Sequence, residues 1–167
     1  VAKLHAAELF AFDVETDFTP IVPLNDVSNV LTINPAIIDA SSVKDFIARV
    51  KAEPGKYNFA STGNGTGTHL AFAQFVKMAA LDMVHVPYKG GGPAVTDTLG
   101  GQVQLLFVSL PAAWQYVKAG KLKALGVTSD KRSIAAPEVA TIVEQGVLDC
   151  VVNSWYGMLV PAKTPPT

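Results

Sequence analysis

The sequence predicts an α/β fold in which a parallel or mixed sheet is covered on both faces by helices, and three observations predict it. Short β-branched or apolar runs alternate along the chain with segments of helical periodicity. The apolar run 103–108 lacks polar alternation, as a strand buried on both faces should. Two glycine-rich stretches, 61–67 and 87–92, each follow a strand candidate and lead into a helix candidate.

Taken in order, residues 21–24 and 30–33 read as two short strands separated by the turn-rich Asn25-Asp26-Val27-Ser28-Asn29. Ser42 then precedes Val43, Phe46, Ile47 and Val50 at i, i+3, i+4, i+7 spacing, which predicts an N-capped amphipathic helix stopped by Pro54-Gly55. Residues 57–60 predict a strand, 61–67 a loop and 69–81 a helix apolar on more than one side. The pattern repeats with a strand at 83–86, a loop at 87–92, a short helix at 94–99 and the strand at 103–108. A helix through Trp114 and Val117 ending at Gly120, a strand at 122–128, a helix near 139–145 and a last strand near 151–160 complete the reading. In such sheets ligands sit at the carboxyl ends of the strands, so the strand-to-helix loops are where a site belongs.

Composition narrows the function. A chain of 167 residues supports one packed domain, or one lobe of a larger protein with part of a second. No apolar run approaches the roughly 20 residues of a membrane-spanning helix. Lys plus Arg number 13 against 14 Asp plus Glu, so no basic field exists to attract nucleic acid. The lone Cys150 excludes an internal disulfide and is expected to be an inert thiol in an apolar strand. Val1 opens without an initiator Met and Pro161-Ala162-Lys163-Thr164-Pro165-Pro166-Thr167 reads as a linker, so a fragment of a longer chain is expected.

The strongest local signal is Ser61-Thr62-Gly63-Asn64-Gly65-Thr66-Gly67-Thr68-His69. Its glycines let backbone approach a ligand closely, and the free N–H groups and dipole at the head of the following helix suit an anion such as a carboxylate or phosphate. The plainer alternative is a flexible turn with a Ser or Thr cap. A nucleotide-triphosphate loop would need Lys and then Ser or Thr after the last Gly, where Thr68-His69 stand. The dinucleotide fingerprint fails on glycine spacing and on the absence of an acidic residue after Val86. The second signal, His85-Val86-Pro87-Tyr88-Lys89-Gly90-Gly91-Gly92-Pro93, could form a neighbouring wall, with Lys89 read as solvated. His69 and His85 lack the spacing of a metal site, so no metal or cofactor is expected. His69 reads as a hydrogen-bonder that could touch ligand, and His85 as a satisfied sheet histidine. Ser61 shows no base or acid partner in sequence and no G-x-S-x-G elbow exists, so no enzyme is expected. Trp114, Tyr116, Trp155 and Tyr156 read as core or rim.

These strings, together with Asp17-Phe18-Thr19-Pro20, Gly100-Gly101-Gln102-Val103, Gly120-Lys121-Leu122 and Trp155-Tyr156-Gly157, resemble the TctC/Bug family of extracytoplasmic solute receptors over essentially the whole chain. The resemblance implies a type II periplasmic-binding-protein lobe, a mixed sheet flanked by helices, within an incomplete two-lobed protein. It divides the chain into a first-lobe remnant (1–20), a second lobe with the ligand-gripping loop (21–150) and a crossover returning to the first lobe (151–167). It further implies a periplasmic location, a small organic carboxylate held between lobes, and delivery to the membrane subunits of a tripartite tricarboxylate transporter. A P-G-G-containing turn of the family's first lobe is missing here.

By the resemblance, ligand contact falls on Ser61, Thr62, Gly63, Asn64, Gly65 and Thr66, and further on Asn29, His69, Tyr88 and Ser109. Many relatives carry Asp-Asn where this chain has Val108-Ser109. Loss of that Asp removes a partner for a ligand ammonium, so a non-amino carboxylate is expected. The rival readings are an effector-sensing domain of a transcription regulator, which should carry a helix-turn-helix not seen in this sequence, and an enzyme on the same scaffold.

Overall fold

The computed structural model describes residues 12–13, 15–147 and 150–165, and the elements in chain order are six strands and four helices. They are β1 (Phe18–Ile33), α1 (Val43–Ala52), β2 (Asn58–Ser61), α2 (Gly67–Met78), β3 (Val84–Pro87), α3 (Gly91–Leu99), β4 (Leu105–Ser109), α4 (Leu110–Lys118), β5 (Lys123–Val127) and β6 (Asn153–Pro161). Two compact units emerge, one comprising Val27–Ser154 and the other the segments Val1–Asp26 and Trp155–Thr167.

The larger unit contains a mixed sheet in the order β3-β2-β4-β1-β5. Strand β2 runs parallel to β3 and β4, whereas β1 is antiparallel to both β4 and β5. Because successive strand residues point to opposite faces, β1 and β4 each supply both layers of the core. Leu31, Ile33, Leu105 and Phe107 face α1 and α2, where Phe46, Phe72 and Phe75 complete the layer. Val30, Leu106 and Val108 face α3 and α4 with Ala94, Val95 and Ala113. Burial on both sides is why residues 105–108, the strand part of the predicted 103–108 run, show no polar alternation. Phe72 is the hub of the first layer, its ring 4.1 Å from Phe59, 5.3 Å from Phe107 and 5.5 Å from Phe75.

Helix α1 starts as its sequence predicts: the Ser42 hydroxyl accepts the Asp45 amide at 3.1 Å, and Val43, Phe46 and Val50 are buried. The Asp45 carboxyl is held below the usual carboxylate range first by the Ser41 amide that it accepts, with Arg49 adding to the effect.

Two expectations are overturned. The two strands predicted at 21–24 and 30–33 are one continuous strand, β1. The turn residues Asn25, Asp26 and Ser28 stay extended because the ladder competes successfully with local turn formation: Asn29 pairs with Ser109 and Val30 with both Val108 and Val127. The helix predicted near 139–145 is a short turn. Thr141 and Glu144 do form a capping box, the Thr141 amide donating to the Glu144 carboxylate at 2.8 Å and the Glu144 amide to the Thr141 hydroxyl at 3.0 Å. The segment is instead drawn to the sheet, where Val127 bridges Thr141 and its amide donates to the Ala140 carbonyl. Gly146, at φ +85°, follows immediately.

The smaller unit contains the outer parts of β1 and β6, which pair, and the Ala162 amide donates to the Asp17 carbonyl at 2.8 Å. Its Ile21, Leu24, Trp155 and Met158 are exposed. No helix among the described residues is long and apolar enough to cross a membrane.

Candidate functional site

The topology gathers the predicted residues along one edge of the larger unit's sheet. Parallel β2, β3 and β4 end there at Ser61, Pro87 and Ser109, and helices α2, α3 and α4 begin beside them. Antiparallel β1 brings Asn29 directly opposite Ser109. Three helix heads, each with partial positive charge on its unpaired amides, therefore open on the same edge.

The two glycine loops continue the β2–β3 pairing, because the Tyr88 amide donates to the Ser61 carbonyl and the Gly90 amide to the Thr62 carbonyl, both at 3.1 Å. Gly63 has φ +141°, and a Cβ there would lie 3.1 Å from the Tyr88 carbonyl oxygen. The close approach of the loops and the left-handed backbone both require glycine at this position.

Inside the first loop the hydroxyls face one another. The Thr66 hydroxyl caps α2 by accepting the His69 amide at 3.4 Å, and it donates to the Gly63 carbonyl at 2.8 Å. Thr62 and Thr68 hydroxyl oxygens are 2.7 Å apart, and those of Thr66 and Thr68 are 3.0 Å apart. Thr62 also donates to Thr66 at 3.2 Å. With Thr66 committed to Gly63, the remaining hydroxyl protons are spent within the trio, and Thr62 and Thr66 shape the loop. The amides of Asn64, Gly67 and Thr68 have no hydrogen-bond partner among the described residues, and Asn64 and Gly67 are exposed. These are the donors that an anion would meet.

His69 and His85 lie beneath this loop as a stack. Their ring centroids are 4.0 Å apart at an interplanar angle of 7°, and the His85 ring also stacks on Phe59 at 4.7 Å. His69 Nδ1 accepts the Gly65 amide at 3.1 Å, which places the neutral ring's proton on Nε2. His85 Nε2 is 2.7 Å from the Ser61 hydroxyl oxygen, which itself accepts the Gly63 amide at 3.2 Å. Burial first, and then its electrostatic interaction with the neighbouring His69, hold His85 below the ordinary histidine range. Sequence reasoning found no histidine partner for Ser61 because the pair is 24 residues apart and forms only through the parallel β2–β3 register, where His85 stands opposite Phe59. The adjacency of the two βα repeats was the available signal. Ser61 is fully buried, and His85 has no carboxylate partner among the described residues.

The other predicted residues are placed as follows. Asn29 is fully buried, its amide nitrogen Nδ2 donating to the Val152 carbonyl at 3.3 Å and its Oδ1 accepting the Ser154 hydroxyl at 3.2 Å, so its side chain fastens the segment entering β6. The Tyr88 hydroxyl donates to Asp97 on α3 at 2.8 Å, and burial, aided by that carboxylate, pushes its pKa up to about 12. The Ser109 hydroxyl sits at the head of α4 without a hydrogen bond among the described residues. Lys89 is exposed. No group of three His, Cys, Asp or Glu among the described residues is arranged to hold a metal. Cys150 is fully buried and its thiol is pushed up to about 11 by that burial. Two concavities of about 540 and 490 Å³ flank Trp114 and involve none of these residues. The partnerless amides of Asn64 and Gly67 make the loop edge, and not these hollows, the candidate anion site.

The chain is similar in sequence and fold to known proteins. BugT of Bordetella pertussis is 35% identical over 155 residues, which span 93% of this chain and 47% of BugT. A structure of an R. palustris protein with adipate superposes with a TM-score of 0.89 at 32% identity, covering 92% of this chain and 51% of that one. MatC from Rhodopseudomonas palustris with bound malate gives 0.85 at 26% identity, covering 96% and 55%. The chain thus spans about half the length of these relatives. The family model for the tripartite tricarboxylate transporter family receptor matches residues 2–167, and with that match over nearly the whole chain, on a sheet of this topology, the chain belongs to the TctC receptor family.

Proposed function

We propose that this chain is the part of a periplasmic solute receptor that grips a small organic carboxylate in a cleft between lobes, closes on it by hinge motion and delivers it to a tripartite tricarboxylate transporter. One observation carries the reading: the unbonded amides of Asn64, Gly67 and Thr68 stand at the head of α2, on a loop whose hydroxyls are already internally satisfied. Such amides receive a carboxylate without needing a charged side chain. The unspent Ser109 hydroxyl and the Nε2 proton of His69 are further donors at the same edge. The relatives solved with adipate and malate support a carboxylate as the ligand class. In this reading residues 1–20 and 151–167 belong to the first lobe, and the output is binding with no chemical step.

The Val108 side chain is 1% exposed and packs under Gly91, so it offers no charge to a ligand ammonium. A non-amino carboxylate is therefore the proposed ligand. A thermal-shift screen of the full-length protein tests both statements, since a ligand bound only by the folded state adds about 2.7 kcal/mol at a hundredfold excess over Kd. Dicarboxylates such as adipate or malate should raise the melting temperature. Larger shifts from aspartate or glutamate would reject the ligand class, and turnover of any bound carboxylate would restore the enzyme reading.

A further inference from the structure

We propose that His85 and His69 are positioning residues of the carboxylate-gripping loop, acting through Ser61 and Gly65 as a single stacked clamp. The inference rests on the carboxylate reading above and adds to it a residue, His85, that lies one strand away from the loop.

The loop makes its tightest excursion at Gly63 and Gly65, both at positive φ. One imidazole holds each of these points. His85 Nε2 meets the Ser61 hydroxyl at 2.7 Å, and the same hydroxyl oxygen takes the Gly63 amide at 3.2 Å. His69 Nδ1 takes the Gly65 amide at 3.1 Å. The rings are face to face at 4.0 Å, so a shift of one anchor is transmitted to the other by contact of the ring faces. Phe59, stacked at 4.7 Å on His85, sets the pair on the core. Both anchored amides are thereby occupied, leaving the amides of the exposed Asn64 and Gly67 as the free donors of the loop. A clamp of this kind requires neutral rings: His69 Nδ1 must have a free lone pair, and two stacked imidazolium ions would repel. Burial of His85 favours its neutral form.

The test is a double-mutant cycle in the full-length protein, with adipate and malate as the calorimetric probes. His85→Phe keeps a ring for the stack and removes Nε2. It should weaken binding about fivefold to tenfold, as expected for loss of one hydrogen bond. Ser61→Ala should do about the same, and the double variant should be no weaker than Ser61→Ala alone, since His85 acts through that hydroxyl. His85→Gln, which restores a polar partner for Ser61, should recover affinity to within about twofold of the wild type, again on the scale of one hydrogen bond. Losses that multiply in the double variant, or His85→Phe binding as wild type does, would overturn the clamp. If His85→Phe does not fold, the His85→Gln and Ser61→Ala pair gives the decision: wild-type affinity in both overturns the clamp, and loss with Ser61→Ala alone supports it. Wild-type protein that binds neither probe rejects the carboxylate reading itself, and the clamp's role with it, which separates the two failures.

Discussion

The Phe59–Phe72–Phe107 cluster and the loop from Ser61 to His69 both draw on the β2–α2 unit, with Phe107 added to the cluster from β4, yet different forces hold them. The cluster is held by area: three rings with centroids 4.1 and 5.3 Å from the shared Phe72, all buried, none needing a particular angle. The loop is held by direction, through hydroxyl and imidazole contacts of 2.7 to 3.4 Å that converge on two positive-φ glycines. Packing thus decides where the edge of the sheet lies, and hydrogen bonds decide which amides it presents.

Three changes would break or sharpen that contrast. The largest effect should come from Phe72→Ala, which leaves a cavity at the hub and should lower unfolding free energy by about 3–5 kcal/mol in denaturant titrations. Ligand affinity measured below the transition should change little, because the loop's contacts are elsewhere; an equal loss of affinity and stability would mean that the two regions are not separable. Gly63→Ala comes next. A side chain at φ +141° with its Cβ 3.1 Å from the Tyr88 oxygen should cost about 1–3 kcal/mol and abolish carboxylate binding, reversing the order of effects seen with Phe72. A stable variant with intact binding would show that the loop tolerates another path.

The smallest effect is a pH dependence. The folded protein holds His85 below its ordinary value of 6.5, with burial as the first cause and the electrostatic effect of the stacked His69 as the second; the Phe59 and Ser61 side chains that also face it are uncharged. The unfolded chain therefore binds the proton more readily. The stabilisation is present above about pH 6.5 and is lost as pH falls through the depressed folded value. Melting temperatures of wild type and His85→Phe should converge on acidification from about pH 8 to about pH 5. A constant gap would show that the ring's burial carries no proton linkage.

Much of this was legible in the sequence where local chemistry and tertiary structure agree. Ser42 caps α1 because its spacing to Asp45 is local, and the glycine loops follow their strands because turn chemistry is local as well. The misreadings share one cause. Residues 25–29 have turn chemistry but run into a ladder whose partners are about 80 and 100 residues away in sequence, Asn29 standing opposite Ser109 and Val30 opposite Val127. Thr141 and Glu144 write a helix start that the bridge to Val127 prevents from propagating. The Ser61–His85 contact needs the parallel register before it exists at all. The bonds of the Asn29 side chain to Val152 and Ser154 likewise arise only with the return of the chain.

The sheet order also sets a schedule for synthesis. Among the described elements β1 precedes both of its neighbours in the larger unit, β4 beginning at Leu105 and β5 at Lys123. Until then Leu31 and Ile33 have no strand beside them, while the β2–β3 pair can already zip together in parallel. The nascent chain carries this apolar strand without its ladder partners until β4 and β5 follow, so β1 must be enclosed by two strands made after it, a stage at which aggregation competes with folding.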